Sequence, residues 1–327
     1  MDVKTSLLKA LVSADGEYIS GGALAETLGV SRNAVWKAVK ALESQGYCIE
    51  SVQSKGYRLS ENGNHLSAEI IKSRLNEETS ANEIIVYDTV ESTNDIAKKL
   101  ASQGASDGTA VIADQQTAGR GRLGRAFISP TGTGIYMSVV IRPDFAVEYA
   151  PMITSASACA VAEAVEKLCG QDVNIKWVND IYINGRKICG ILTEASLGLE
   201  MKNLDYAVIG IGVNVRSVKN SFDEKLLETA TSIEDETGVK ADRNTLCAEI
   251  LNRLAYYMKN VSNGVFLDEY RRREYLTGKQ ITANSGNEMI EGTAVGIDDN
   301  ANLIVKLSDG EIRHLSSGEA NLCRVKK

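Results

Sequence analysis

Seven residues, Gly119-Arg120-Gly121-Arg122-Leu123-Gly124-Arg125, bring three arginines and three glycines together. No Asp or Glu occurs from Gln115 to Pro143, although the chain carries 36 Lys+Arg against 43 Asp+Glu and a formal net charge of −7. Glycine lets a backbone approach a ligand closely. Arginine offers a planar, permanently charged fork to a carboxylate or phosphate. The chemistry this suits is closure over an anion; the alternative is a solvated surface loop. Gly119-x-Gly121-x-x-Gly124 also has the form of the dinucleotide fingerprint, but that fingerprint must open a helix. Ala126-Phe127-Ile128-Ser129-Pro130-Thr131-Gly132 carries no helical pattern, and no Walker sequence is present. The anion would be held by arginine and backbone, without a helix dipole behind them.

A second group lies in Lys176-Trp177-Val178-Asn179-Asp180-Ile181-Tyr182-Ile183-Asn184-Gly185-Arg186-Lys187. Asn184-Gly185 between apolar-rich segments signals a two-residue hairpin. That turn sets Tyr182 opposite Lys187 and Asp180 opposite Cys189, and makes Asp180 and Lys187 diagonal neighbours about 7–8 Å apart. A carboxylate and an ammonium on one sheet face suit a nucleotide or acyl-phosphate site; a surface ion pair is the alternative. Ser92-Thr93-Asn94-Asp95 has the spacing of a helix-capping box, which accounts for Ser92 and Asp95 and leaves Thr93 and Asn94 for a pocket. Gly210-Ile211-Gly212-Val213-Asn214-Val215 reads as a strand whose glycines admit a ligand or another backbone, or as a plain core strand.

The elements that must position these residues fall into three stretches. Leu7, Leu8 and Leu11 mark a short amphipathic helix, and Ala23–Leu28 a second one ended by Gly29. Ser31 caps a third, Arg32–Ser44, with Val35, Ala38, Val39 and Leu42 on one face. Its other side shows Asn33, Trp36, Lys37 and Lys40, and two strands with a turn at Gln53–Gly56 follow as a wing. Five of the seven cations in the first sixty residues fall on that helix and wing, where DNA phosphates would be met. Trp36 has two readings, packing beneath the wing or facing DNA. Glu61–His65 reads as a linker with a solvated His65. Strands and helices then alternate to about Tyr275. From Gly278 short strands and turns, among them Ser285-Gly286-Asn287, indicate a small β-barrel that must pack on its neighbour.

The two histidines, His65 and His314, exclude a histidine-rich metal centre. Six scattered cysteines without a CxxC read as reduced thiols. No signal peptide or bilayer-spanning run is evident, so a cytoplasmic protein without membrane attachment is expected.

Taken in order, Ser92-Thr93-Asn94, Gln116 ahead of the arginine–glycine loop, Lys176-Trp177-x-Asn179-Asp180, Arg186-Lys187-x-x-Gly190-Ile191-Leu192 and Gly210-Ile211-Gly212-Val213-Asn214 resemble the biotin–protein ligases. With the N-terminal unit and Ser316-Ser317-Gly318-Glu319, the likeness extends over essentially the whole chain to the bifunctional bacterial biotin ligase and biotin operon repressor family. Phe127 stands where that family usually has tryptophan, and Val178 where proline is common. Phe127 keeps an aromatic wall; Val178 is expected to leave the turn before Asn179-Asp180 less rigid.

The resemblance implies an α+β multidomain fold. Its parts are a winged helix-turn-helix DNA-binding domain (1–62), a central mixed α/β ligase domain of the class II aminoacyl-tRNA synthetase/biotin ligase type (63–276), and a C-terminal SH3-like β-barrel (277–327). It implies that biotin and ATP, with Mg²⁺, give biotinyl-5′-adenylate, which a lysine of the biotin carboxyl carrier protein of acetyl-CoA carboxylase then attacks. Lys187, Arg122 and Asp180 are the implied catalytic residues. Biotin would be held by Ser92, Thr93, Asn94, Gln116, Gly119, Arg120, Gly121, Arg122, Lys187, Gly190, Gly210 and Gly212. ATP and the adenylate would meet Arg120, Arg122, Arg125, Lys176, Asn179, Asp180, Lys187 and Asn214, with no metal held by protein ligands alone. The loop is expected to order as ligand binds. The adenylate would also act as corepressor, favouring a homodimer whose Ser31, Arg32, Asn33, Trp36, Lys37, Lys40 and Lys55 contact a palindromic operator. A ligand-sensing transcription factor without catalysis and a lipoate-type ligase are the rival readings.

Overall fold

The computed structural model describes residues 2–60, 64–197, 204–285 and 288–323. Most of the expected linker, residues 61–63, and the tip of the turn at 286–287 lie outside the described residues.

The chain opens with helices α1 (Val3–Ser13), α2 (Gly21–Leu28) and α3 (Arg32–Ser44), followed by the hairpin β1 (Ile49–Val52) and β2 (Gly56–Leu59). The Ser31 hydroxyl accepts the Ala34 amide at 3.2 Å and so caps α3. The apolar faces of the helices meet in their own core, with Leu7, Leu11, Leu24, Val35, Val39 and Leu42 buried. Trp36 does not pack under the wing: it remains 49 % exposed on the outer face of α3.

The central body follows, with α4 (Ala68–Ser73), β3 (Ile84–Val90), α5 (Thr93–Ser102), β4 (Ala110–Gln116), β5 (Gly134–Ile141) and α6 (Met152–Cys169). Strands β6 (Asn174–Lys176), β7 (Asp180–Ile183), β8 (Arg186–Leu197) and β9 (Leu204–Asn214) come next. They join one seven-stranded sheet in the order β3-β4-β5-β9-β8-β7-β6. Among the described residues, β3 and β4 are the one strand pair of this sheet that runs parallel. Side chains alternate across its plane. On β5 and β9, Met137, Val139, Ile209 and Ile211 join the large core under α6 and the later helix α9 (Arg243–Lys259). Val140 and Val208 face α5 instead, with Ala97 and Ala101. By the same alternation Ser138, Gly210, Gly212 and Asn214 fall on the α5 face. The short helices α7 (Glu224–Leu227) and α8 (Ile233–Thr237) precede α9, and α10 (Leu267–Arg273) follows it.

Five strands close the chain: β10 (Gln280–Ser285), β11 (Glu288–Ile297), β12 (Leu303–Lys306), β13 (Ile312–Leu315) and β14 (Glu319–Leu322). They form an antiparallel sheet in the order β13-β12-β11-β10-β14, and among the described residues no pairing joins β13 to β14. The sheet is therefore open by its hydrogen bonds. Its buried Ile281, Ala283, Ile290, Leu303 and Val305 belong to the same core as the central sheet. The Trp177 indole donates to the Ala301 carbonyl at 3.1 Å across that junction.

His65 is not the solvated histidine expected of a linker. It is half-buried, with its ring 4.6 Å from that of Tyr47. The Asn244 side chain binds the His65 carbonyl. No helix among the described residues is long and apolar enough to cross a membrane.

Candidate active site

The Asn184-Gly185 turn forms with both residues at positive φ (51° and 78°), as the two-residue hairpin demands. Tyr182 pairs with Lys187 as the turn requires, but Asp180 pairs with Gly190 and not with Cys189. The extra residue Ile188 is a β-bulge, which bends a strand and re-aims its side chains. Lys187 Nζ thus lies 2.7 Å from Asp180 Oδ1, in direct contact. The Trp177–Val178 peptide bond is cis.

The arginine–glycine loop reaches three separate elements. Arg120 pairs with Asp95 on α5. Arg122 donates to Asn179 Oδ1 at 2.8 Å and to the Gly318 carbonyl at 2.9 Å. Arg125 makes two bonds of 2.8 Å to the Glu319 carboxylate on β14. The hydrogen bonds from Arg125 hold Glu319 below the ordinary glutamate range, and those from Arg120 do the same for Asp95. Leu123 at the loop tip has φ 56° and is 77 % exposed.

The capping box expected at Ser92-Thr93-Asn94-Asp95 does not form. Ser92 makes no side-chain cap bond, and Asp95 is held by Arg120 and by Lys98 at 3.2 Å. Thr93 donates from its amide and hydroxyl to Gln116 Oε1 at 2.9 and 3.1 Å, and Gln116 Nε2 donates to Ser129 Oγ at 3.0 Å. Ser138 Oγ lies 2.7 Å from Thr93 Oγ1 and 2.6 Å from Asn94 Oδ1. Asn94 Nδ2 donates to Glu194 at 2.7 Å. The glycines of β9 make this possible. A Cβ on Gly210 would run into the Asn94 amide, and one on Gly212 into the Phe127 ring. The close approach is by side chains of α5 and the arginine-loop segment.

These groups surround one cavity of about 500 Å³. Its wall contains Ser92, Thr93, Asn94, Gln116, Arg120, Gly121, Arg122, Arg125, Lys176, Asn179, Asp180, Lys187, Gly190, Gly210, Gly212 and Asn214. Gly119 alone of the small-molecule set stands outside that wall, where its carbonyl accepts the Phe127 amide. Burial pushes Lys176 below the ordinary lysine range, and the nearby charges of Lys187 and Arg125 add to that. Burial pushes the Tyr182 phenol up, with Asp180 adding its charge. Asn214 Nδ2 donates to the Thr231 carbonyl at 2.9 Å, while its buried Oδ1 has no partner in the structure.

Sequence reasoning missed Ser138, Glu194 and Phe222, and gave Glu319 no role. Period two along β8 was a usable signal for Glu194, which falls on the same face as Gly190. Neither histidine lines the cavity, and no cluster of metal-binding residues occurs among the described residues. On the N-terminal unit, Ser31, Arg32, Asn33, Trp36, Lys37, Lys40 and Lys55 are all exposed. Lys40 pairs with Glu43 at 2.6 Å, and Lys55 lies 5.6 Å above the Tyr18 ring.

Comparison with known proteins gives three family matches. Residues 4–58 match an HTH domain, residues 86–214 the biotin/lipoate A/B protein ligase family, and residues 276–322 the biotin protein ligase C terminal domain. The bifunctional ligase/repressor BirA of Bacillus subtilis is 36 % identical over 324 residues, covering 98 % of both chains. Its Escherichia coli namesake is 31 % identical over 317 residues, covering 96 % of both. Among solved structures, the biotin protein ligase of Aquifex aeolicus in complex with biotin and ATP matches with a TM-score of 0.63 at 28 % identity. That match covers 74 % of this chain and 99 % of the other.

Proposed function

The chain belongs to the family of bifunctional biotin ligases and repressors, and from that membership we infer that it joins biotin to a carrier protein and represses transcription in response to biotin. It is an ATP-dependent biotin–protein ligase. The biotin carboxylate displaces pyrophosphate from the α-phosphate of ATP, giving biotinyl-5′-AMP. A lysine amine of the biotin carboxyl carrier protein of acetyl-CoA carboxylase then attacks the acyl carbon. An amide forms, AMP leaves, and the amine loses a proton.

The observation that carries this reading is the convergence in one cavity of a cationic loop, the Lys187–Asp180 pair and a hydrogen-bonding end at Thr93, Asn94 and Gln116. Each pair of like unit charges about 4 Å apart, such as a carboxylate and one phosphate oxygen, costs about 1 kcal/mol in water and roughly 4 at an effective dielectric of 20. Arg120, Arg122 and Lys187 offset that repulsion and stabilise charge growing at the α-phosphate. Arg120 and Arg125 already hold Asp95 and Glu319, so ligand acids compete for cations that carboxylates of this chain occupy. We propose that the loop re-orders through this exchange. Ser92, Thr93, Asn94 and Gln116 bind the ureido head group, which needs donors and acceptors side by side. Gly121, Gly190, Gly210 and Gly212 keep the cavity narrow around it. Lys176, Asn179 and Asp180 face the adenylate. The unpartnered Asn214 Oδ1 suits an amino donor such as the exocyclic amine of adenine.

Mg²⁺ enters this reading with the ATP phosphates. Of the cavity carboxylates, Asp180 faces Lys187 and Glu319 faces Arg125, so the donor set fits an ion carried chiefly by phosphate oxygens and water. We assign DNA binding to residues 1–62, ligation to 63–276, and a supporting role to 277–327, with the last sheet curling in the SH3-like manner. The central body is of the class II aminoacyl-tRNA synthetase type. The adenylate promotes a cytoplasmic homodimer whose α3 helices read the two halves of an operator. Incubation with labelled biotin, ATP, Mg²⁺ and a carrier domain tests the reading: biotin transferred to the carrier supports it, and no transfer overturns it. Removing residues 1–60 is expected to abolish operator binding while adenylation persists.

A further inference from the structure

Behind the Thr93 end of the cavity runs a chain of hydrogen bonds whose direction is set from outside the cavity wall. Glu194 is not part of that wall. Its two oxygens accept from Asn94 Nδ2 at 2.7 Å and from Lys98 Nζ at 2.8 Å. Burial raises the Glu194 carboxyl, but the hydrogen bonds from Lys98 and Asn94 outweigh it and hold the group below the ordinary range. A carboxylate can only accept. Asn94 must therefore turn its NH₂ toward Glu194 and its carbonyl oxygen toward Ser138. Ser138 is fully buried, with a single proton and two oxygens in reach, Asn94 Oδ1 at 2.6 Å and Thr93 Oγ1 at 2.7 Å. Giving that proton to Asn94 leaves the Thr93 oxygen accepting nothing from Ser138, while the Thr93 proton stays with Gln116 Oε1 at 3.1 Å. Thr93 then meets the cavity with a free lone pair. With a neutral group at 194 the Asn94 amide is free to turn over, and the chain can run either way.

We propose that Glu194 is a positioning residue for biotin recognition: through Asn94 and Ser138 it makes Thr93 an acceptor for one ureido N–H. This rests on the biotin-ligase reading. Lys98 also contacts Asp95, which holds Arg120, so the same charge cluster reaches the arginine loop.

The test is calorimetric titration of the full chain with biotin, with a biotin analogue methylated on a ureido nitrogen, and with ATP. Glu194→Gln keeps the size and removes the charge. It is expected to weaken biotin binding by roughly tenfold and to narrow the preference for biotin over the methylated analogue. ATP affinity and unfolding temperature should stay at the wild-type values, and KM for biotin should rise with little change in kcat. Ser138→Ala cuts the same chain and should narrow the preference equally. Adding Glu194→Gln to it should then cost nothing more, as for two links of one network. Wild-type affinity and preference in Glu194→Gln, or an additive loss in the double variant, overturns the proposal and leaves the ligase reading intact. A parallel loss of ATP affinity or of unfolding temperature also overturns it, because Glu194 would then be general support. If Glu194→Gln does not fold, Ser138→Ala alone decides through the preference ratio. Failure of the wild-type protein to bind biotin at all would instead overturn the reading beneath.

Discussion

Lys187 is the side chain on which the charge argument bears most directly. It stands 2.7 Å from Asp180 on a bulged strand, at the edge of the cavity the arginine loop covers. If it stabilises charge at the α-phosphate, Lys187→Ala should slow adenylate formation by about 10²–10³-fold, the usual effect of removing one such donor. Pyrophosphate release measures this; an unchanged rate would remove Lys187 from the chemistry. The residue types at this site were legible in the sequence, because few other uses exist for three arginines on three glycines. Their contacts were legible only in part. The two-residue turn gave the Tyr182–Lys187 pair correctly, and Ile188 then displaced every partner beyond it by one. A bulge is decided by packing on both sheet faces, which a strand pattern does not record.

Among the elements, α3 was the easiest to read. Its four apolar residues recur at helical spacing, and Ser31 supplies the cap. The short helices α7 and α8 left no such trace, since four or five residues give a period too little room to repeat. The outer face of α3 carries Arg32, Asn33, Trp36 and Lys37, all exposed. An exposed indole amid cations has little to gain from water and suits apolar contact in a major groove, where thymine methyl groups lie. Trp36→Ala is expected to weaken operator binding by about 1–3 kcal/mol while leaving the salt dependence unchanged, because it removes no phosphate contact. Lys37→Ala should instead reduce the salt slope by about one phosphate contact. Fluorescence anisotropy across a salt series separates the two, and equal slopes for all three proteins would refute the assignment of Lys37.

At the scale of the whole molecule, the seam between the N-terminal unit and the central body contains His65. Burial pushes its imidazole below the ordinary histidine range, with Arg243 adding to the effect and Asp88, Asp114 and Glu69 opposing it. The unfolded chain then takes up a proton that the folded chain resists. Stability is full above a pH of about 6.5 and falls as pH drops through and below that value. His65→Phe keeps a ring beside Tyr47 and cannot titrate. Its unfolding temperature should decline less than that of the wild type between pH 7.5 and 5.5. His314 is present in both proteins, so the difference isolates His65; parallel profiles would refute the claim. The sequence marked this seam as a linker but not its packing, because the contact between Tyr47 and His65 depends on how two separately packed cores meet.

The grip of Glu319 and the Gly318 carbonyl on Arg125 and Arg122 has a practical corollary. Gly318 and Glu319 tie the last sheet to Arg122 and Arg125 before any ligand arrives, so a chain divided ahead of β10 is expected to give two fragments of little activity. Opening the chain between Thr277 and Gly278 and supplying the last five strands as a separate polypeptide should silence biotinylation of the carrier domain. Tethering the halves to two interacting partners should restore it, and streptavidin blotting would read the encounter. A severed first fragment that labels at full speed alone would show that the arginine loop needs no such clasp.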